Sequence, residues 1–548
     1  MVPRVARTTS ASTLVRNTLA NGAGASVGMA IGILITPFTI TQLGLSAYGV
    51  WSLALTLSFA GGYAAMSDLG IEAATVRYVA EAEGDDDLEG VNRTVATTLV
   101  FFAIVGGVLA IAMVVLASSL TTLFDAPDGL KHASTIAFAL VGGQLAIEMP
   151  SRALTAVLEG TQNFVAYQAV ELSKALSFAV MTIVVLLTDH GIIGLGISYV
   201  ATSIGAFFAY WFLAHRAVKG LRVWPGNASK SELKRLLSYG SSVFVFRLTG
   251  TAYRQMDRLI LGVATEPKLV AIYEIANKVH LAAALVQSMS VSALVPAVAK
   301  ARRDLALLRD MLLRGTSYTV AASLPFTTAA IVFAGPLLRD WIGPDADGAI
   351  TSAQLFLVYL TIAVFHMVST TMLVALGNVR PILLTNLGML AVNVVVSVAL
   401  VGPLEVEGVL LGTLVATIVG WPPLLLIALR RFDVDARDWA RRIVLPQILP
   451  TIVQVAVLLV GLWLLNDVGS LILDGLWILL SVAAYLLVFG RFSLPAEERS
   501  VLVATIRRAV KRSAPPTDPP ADPPPPAPGD SSTPAVPPAT TGPGIATP

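Results

Sequence analysis

The chain of 548 residues contains no cysteine. That excludes disulfides, thiolate zinc sites, iron–sulfur clusters and cysteine nucleophiles, and leaves the compartment open. Charge is scarce as well: Asp, Glu, Lys and Arg make up 13% of the residues, about half of the roughly 25% found in a soluble domain. With 55% hydrophobic residues and a mean hydropathy of +0.75, a soluble multidomain enzyme is excluded, and so is a nucleic-acid binder relying on a strongly basic surface. The five histidines are scattered over loops and different helices, without metal-ligand spacing. No phosphate-cradling glycine loop, dinucleotide fingerprint or catalytic constellation is present, so neither enzymatic activity nor a cofactor or metal is expected. What remains is a polytopic all-α membrane protein.

A bilayer core of about 30 Å takes roughly 20 apolar residues per helix. Windows of that kind lie near 17–40, 46–66, 94–118, 134–158, 166–187 and 191–214, then near 239–262, 268–297, 315–338, 352–376, 381–402 and 407–429, and finally near 443–465 and 470–489. The first is long enough to span, and it reads as a retained helix rather than a signal peptide. Fourteen spans are therefore expected. Basic residues accumulate in cytoplasmic loops, and with both termini inside, 29 of the 37 lysines and arginines fall on the cytoplasmic side while the outer loops hold only Lys131, Lys268 and Arg339. A plasma-membrane location with cytoplasmic termini follows as the expectation. The outer loops are too short for a folded catalytic domain.

The first six spans resemble the next six. Val200-Ala201-Thr202 followed by Gly205 recurs as Val415-Ala416-Thr417 followed by Gly420, Gly160 aligns with Gly377, and Tyr48 with Tyr273. Six is an even number, so both copies start inside and form a parallel repeat, a layout typical of transporters with a central site between lobes. The expected domains are an N-lobe (1–225), a C-lobe (226–432), two extra helices (433–490) and a cytoplasmic tail (491–548) that is first basic and then rich in proline. Residues 513–548 hold 14 of the 31 prolines and should be disordered or polyproline II. The basic patch Arg507, Arg508, Lys511 and Arg512 is suited to anionic headgroups.

Particular stretches are similar to the polysaccharide-biosynthesis, or oligosaccharide, flippases of the MOP superfamily, which also holds the lipid II flippases and the MATE exporters. They are Leu45-Ser46-Ala47-Tyr48-Gly49-Val50-Trp51, Asp68-Leu69-Gly70-Ile71 and Val76-Arg77-Tyr78-Val79-Ala80-Glu81, with Asp257-Arg258-Leu259-Ile260-Leu261-Gly262, Tyr273 and Leu294-Val295-Pro296-Ala297 in the second half. The resemblance covers roughly 14–430. It implies a V-shaped, two-lobe fold that moves a polyprenyl-diphosphate-linked oligosaccharide across the bilayer for surface polysaccharide synthesis. Glycosyltransferases and a polysaccharide polymerase are the candidate protein partners, and no nucleic acid is expected. The rival readings are a lipid II flippase, a MATE-like exporter of small cations and a non-transport component of glycan assembly.

A charge at mid-bilayer costs on the order of 2.5–3.5 kcal/mol on insertion scales, so each should face a cavity or a partner. Five basic residues lie inside the spans: Lys174, Arg247, Arg254, Arg258 and Lys278. Arg247, Arg254 and Arg258 are spaced i, i+7 and i+11, which places them on one helix face, and the arginine fork matches phosphate oxygens. Arg247 and Arg254 are the candidates for binding a diphosphate. Arg258, beside Asp257 near the outer end, reads as interfacial or paired. Lys174 and Lys278 stand near Glu171 and Glu274 at spacings that let each pair bridge along its own helix, and either lysine is alternatively cavity-lining. Glu148, with only Arg152 at i+4, and Glu274 are candidates for ion coupling. Ala20, Gly24, Gly28 and Gly32 form a small-residue face for close helix approach, and Pro37, Pro150, Pro296 and Pro325 are placed to bend helices. The acidic run Asp85-Asp86-Asp87-Leu88-Glu89 reads as a solvated loop.

Overall fold

The computed structural model describes residues 11–59, 62–292, 294–465, 470–494 and 499. The side chains of Arg247, Arg254 and Pro296 lie outside the described residues, as do the basic patch 507–512 and the proline-rich tail. Every regular element among the described residues is helical. In chain order these are α1 (Ala11–Leu43), α2 (Leu45–Thr56), α3 (Ile71–Gly84), α4 (Leu88–Leu123), α5 (Lys131–Gly160), α6 (Phe164–Leu187) and α7 (Gly191–Ala217). The second series is α8 (Lys230–Ala264), α9 (Pro267–Ser292), α10 (Leu294–Lys300), α11 (Leu305–Val332), α12 (Ala334–Ile342), α13 (Ile350–Ala375) and α14 (Val379–Arg431), followed by α15 (Ala436–Ile443), α16 (Leu445–Leu465) and α17 (Leu471–Val488).

These segments are helices because they are apolar and because their polar groups close on themselves. Thr36, Thr39, Thr75 and Thr316 each donate a hydroxyl to the carbonyl one turn earlier, at 2.6–2.9 Å. A hydroxyl satisfied this way needs no water, the condition for a polar side chain in lipid. The outward face of α4, with Ile104, Val108, Ile111 and Val115 one to two turns apart, is exposed, which only a hydrocarbon solvent makes favourable. Its inward face meets α5 so closely that a Cβ on Gly106 would lie 2.7 Å from the Leu145 carbonyl. Loop ends are capped by carboxylates: Asp87 accepts from Gly90 N at 2.9 Å and Asp304 from Leu307 N at 3.0 Å, satisfying amides that the first turn leaves open.

Ten described helices are long and apolar enough to cross a membrane, or eleven when α11 and α12, bent by 69°, count as one span. The expected fourteen is not reproduced by that measure, for three physical reasons. The second span is broken, ending at Thr56 and resuming through a 3-10 turn, Tyr63–Asp68, into α3. The long α8 is polar. And α14 joins two helices across a non-helical Glu405 (φ 48°).

Helix packing falls into two sets. In the first half α5 packs on α3, α4 and α7, and α6 on α1 and α7. In the second, α13 packs on α9, α11 and α14, and α8 on α14, with α16 and α17 against α11. Equivalent corners of the two sets share a backbone design. The turn after α5 has Gln162 at φ 59° with Asn163 N bonded to Leu158 O at 2.7 Å, and the turn after α13 has Gly377 at φ 78° with Asn378 N bonded to Leu373 O at 2.9 Å. Both are helix stops closed by a left-handed residue. Geometry thus pairs Gln162, not Gly160, with Gly377, at the same offset that relates Thr202 to Thr417. Those two threonines also behave alike, donating to Ser198 O and Thr413 O.

Candidate substrate cavity and buried charge clusters

The motifs behind the family resemblance turn out to build the break in the second span and the seam between the halves. Asp68 accepts the amide of Glu72 at 2.8 Å, starting α3, while Leu69 (φ 52°) and Gly70 (φ 76°) turn the chain in consecutive left-handed conformations. Gly70 then presses on α8, where a Cβ would lie 2.2 Å from the Gly240 carbonyl. About two helical turns further along, Arg77 bonds Glu81 at 2.8 Å and lies 4.7 Å over the Tyr239 ring, while Arg235 of α8 stacks 3.8 Å over Tyr78 and reaches Glu81 at 3.5 Å. The opposite end of the seam joins α2 to α9, where Gly49 sits against the Pro267 carbonyl so that a Cβ would lie only 1.8 Å from it. Both ends of the seam are therefore bridged.

Between them lies a cavity of about 370 Å³ lined by Gly28 and Gly32 of α1, Tyr48 and Trp51 of α2, Thr182 of α6, and Arg258, Glu274 and Lys278. The second half of the α1 glycine stripe thus lines the cavity, together with Ile31, Ile35, Thr36 and Thr39. Trp51 is held by Phe178 and Tyr199, with ring centroids 6.3 and 6.0 Å away. Arg258 is ion-paired to Glu274 of the next helix and also donates to Gln255 at 3.0 Å. Its neighbour Asp257 points elsewhere, accepting from Thr413 at 2.8 Å and Asn393 at 3.1 Å, both on α14. The expected bridge from Glu274 to Lys278 is not formed, because Arg258 occupies the carboxylate. Lys278 makes no ion pair among the described residues, and the cavity wall carries two cations against one carboxylate.

A second buried cluster sits inside the first half, between α3, α5 and α6. Glu148 accepts from Lys174 at 2.6 Å, Arg152 at 2.8 Å and Gln144 at 3.0 Å. Arg152 also approaches Glu72 at 3.6 Å and lies 4.6 Å over the Phe59 ring at the helix break. The expected Glu171–Lys174 bridge is absent here too: Lys174 crosses to α5, and Glu171 takes the Tyr210 hydroxyl on α7. With Glu72, Glu148 and Glu171 against Arg152 and Lys174, this cluster has no excess of positive charge to attract an anion. The structure brings Arg258, Glu274 and Lys278 together, and separately Glu148 and Lys174. It places Arg247 and Arg254 on α8, their side chains outside the described residues.

A further cavity of about 510 Å³ opens beside the break, lined by Met66, Asp68, Thr370, Asn386, His366 and Trp421. His366 stacks on Trp421 with centroids 3.9 Å apart. Sequence reasoning passed over this wall. The signal available was Asn386 and His366 standing as polar interruptions in apolar spans.

The chain matches the model of the polysaccharide biosynthesis protein family over residues 43–345. It belongs to that family and is a multi-pass membrane protein. The curated protein "Probable flippase AglR" of Haloferax volcanii is 22% identical over 408 residues, covering 71% of this chain and 78% of that one. Among solved structures, the lipid II flippase MurJ in an inward closed conformation aligns with a TM-score of 0.66 at 14% identity, over 91% of this chain and 100% of that one. An inward-facing multidrug resistance MATE family transporter aligns with a TM-score of 0.61 at 16% identity, over 76% and 94%. At such identities the structural likeness shows the fold alone.

Proposed function

We propose that this protein moves a polyprenyl-diphosphate-linked oligosaccharide from the cytoplasmic to the outer leaflet of the plasma membrane, with both termini in the cytoplasm. The observation that carries this reading is the cavity holding Arg258, Lys278 and one carboxylate, walled by the glycines of α1. An unpaired ammonium held in a membrane cavity is costly unless an anion or water visits it. A diphosphate supplies the anion, and a prenyl chain fits an apolar wall of small side chains. By their spacing in the sequence, Arg247 and Arg254 would stand on the helix face that carries Arg258. Helix α2 with α3 and the polar α8 complete a fourteen-span, two-lobe organisation with lobes at 1–225 and 226–432, helices 433–490 outside the repeat and a tail from 491. The two seams would open in alternation. The α3–α8 seam, made of exposed ion pairs and stacked rings, and the α2–α9 seam, made of packed backbone, then act as inner and outer closures.

A small organic cation, the cargo of a MATE-like exporter, is disfavoured by this excess of positive charge. Complementation tests the reading. In a strain whose own oligosaccharide flippase is deleted, the wild-type chain should restore surface polysaccharide, and Lys278→Ala or Arg254→Ala should fail at normal protein levels. Full complementation by both variants would sink it.

A further inference from the structure

The face to which charge counting assigns the cytoplasm holds a cavity of about 560 Å³ at the corner where α10, α11, α13 and α14 end or begin. Arg302, Arg303 and Arg431 line it together with Leu305, Leu308, Leu376 and Phe432. All three arginines are exposed, and none makes an ion pair among the described residues. The adjacent carboxylate, Asp304, is committed to capping Leu307 N at 3.0 Å.

Lysines and arginines gather on this face in any membrane protein, so their presence alone says little. The repeat supplies the control. At the corresponding corner of the first half, between α3 and α4, the cap is Asp87, which accepts Gly90 N at 2.9 Å. Counting back from the two caps, Arg302 and Arg303 stand where the first half has Asp85 and Asp86. The turns differ, Asp86 being left-handed (φ 55°) and Arg303 not, but the same aspartate cap forms behind either sign of charge, so the cap does not require arginines here. Like charges brought together around one concavity, without a carboxylate to neutralise them, are held at a cost that a bound anion removes.

We propose that Arg302, Arg303 and Arg431 form a binding site for the phosphate group of a lipid at the cytoplasmic interface. Planar guanidinium forks suit phosphate oxygens, and the leucines and phenylalanine of the same wall suit the start of a hydrocarbon chain. Two lipids share this chemistry, an ordinary anionic phospholipid and a polyprenyl diphosphate carrier. The site lies apart from the cavity of Arg258 and Lys278, and it stands whatever that cavity transports.

Native mass spectrometry of the purified full chain tests it, with phosphatidylglycerol, undecaprenyl diphosphate and phosphatidylcholine as separate probes. The wild type should retain one or both phosphate-rich probes over phosphatidylcholine. The variant Arg302→Asp/Arg303→Asp, which installs the charges of the first half, should weaken that retention by at least about thirtyfold, at roughly a factor of five per arginine lost and with the added repulsion of two carboxylates. The variant Arg302→Lys/Arg303→Lys should keep most of it, and Arg431→Gln alone should lose about fivefold. Which probe is held more tightly identifies the lipid. Equal retention of all three probes by the wild type, or unchanged retention by Arg431→Gln and whichever paired variant folds, overturns the proposal.

Discussion

Lys174 on α6 donates to Glu148 on α5 at 2.6 Å, crossing between helices instead of bridging to the glutamate three residues away on its own helix. Glu148 also holds Arg152, which has Glu72 as a second, longer partner at 3.6 Å. Removing one partner of a buried pair strands the other and costs about 3–5 kcal/mol. Glu148→Ala strands Lys174 and leaves Arg152 only the longer contact to Glu72, whereas Lys174→Ala leaves Glu148 still paired. Thermal melts in detergent should therefore rank Glu148→Ala well below Lys174→Ala, and both below wild type. Equal melting temperatures for the three would contradict the cluster.

Lys278 separates function from stability, since it has no ion pair to lose among the described residues. Lys278→Ala should keep the wild-type melting temperature and lose transport, with Lys278→Arg restoring part of it. Arg258→Ala should lose transport and some stability, because Glu274 loses its ion pair and can replace it only by engaging Lys278, the cavity's other cation, and the double variant Arg258→Ala/Glu274→Ala should regain stability without transport. Parallel melts and complementation assays check the pattern.

The inner seam is exposed and polar, and such ion pairs are worth about 0.2–1 kcal/mol. Arg235→Ala should thus shift the balance between open and closed inner seam by up to about fivefold. The natural absence of cysteine makes this measurable. A single Ala65→Cys, in the wall of the 510 Å³ cavity, should react faster with a membrane-impermeant thiol reagent added from the cytoplasmic side once Arg235 is removed.

At the other seam, a Cβ on Gly49 would overlap the Pro267 carbonyl at 1.8 Å. Gly49→Ala should force α2 from α9 and raise labelling from the outer side, at some loss of stability. The same change at Gly84, where nothing lies within 4 Å of the added carbon, should leave labelling unchanged.

Much of the fold is legible in the sequence, because apolar run length and the distribution of arginines and lysines are set by the bilayer itself. The positions of breaks were less so. The second span reads as continuous from 46 to 66, yet α2 ends at Thr56 and the chain turns again at the left-handed Leu69 and Gly70, where Gly70 packs against Gly240 of α8. The candidate site divides in the same way. Lys278 and Arg258 could be singled out as charges within apolar spans. Their partners could not, since spacing along one helix reports only intrahelical neighbours, and Glu274, Glu171 and Lys174 all chose partners on another helix. Asp257 shows the same effect: next to Arg258 in sequence, it bonds Asn393 and Thr413.

The central claim is that the chain carries a lipid-linked oligosaccharide across the membrane. Its most direct test is depletion of the protein followed by leaflet-resolved mass spectrometry of polyprenyl-linked glycans. The account predicts that an oligosaccharide on a polyprenyl diphosphate accumulates on the cytoplasmic leaflet and disappears from the outer one, while lipid II keeps its normal distribution. Accumulation of lipid II alone, or an unchanged distribution of both, would contradict it.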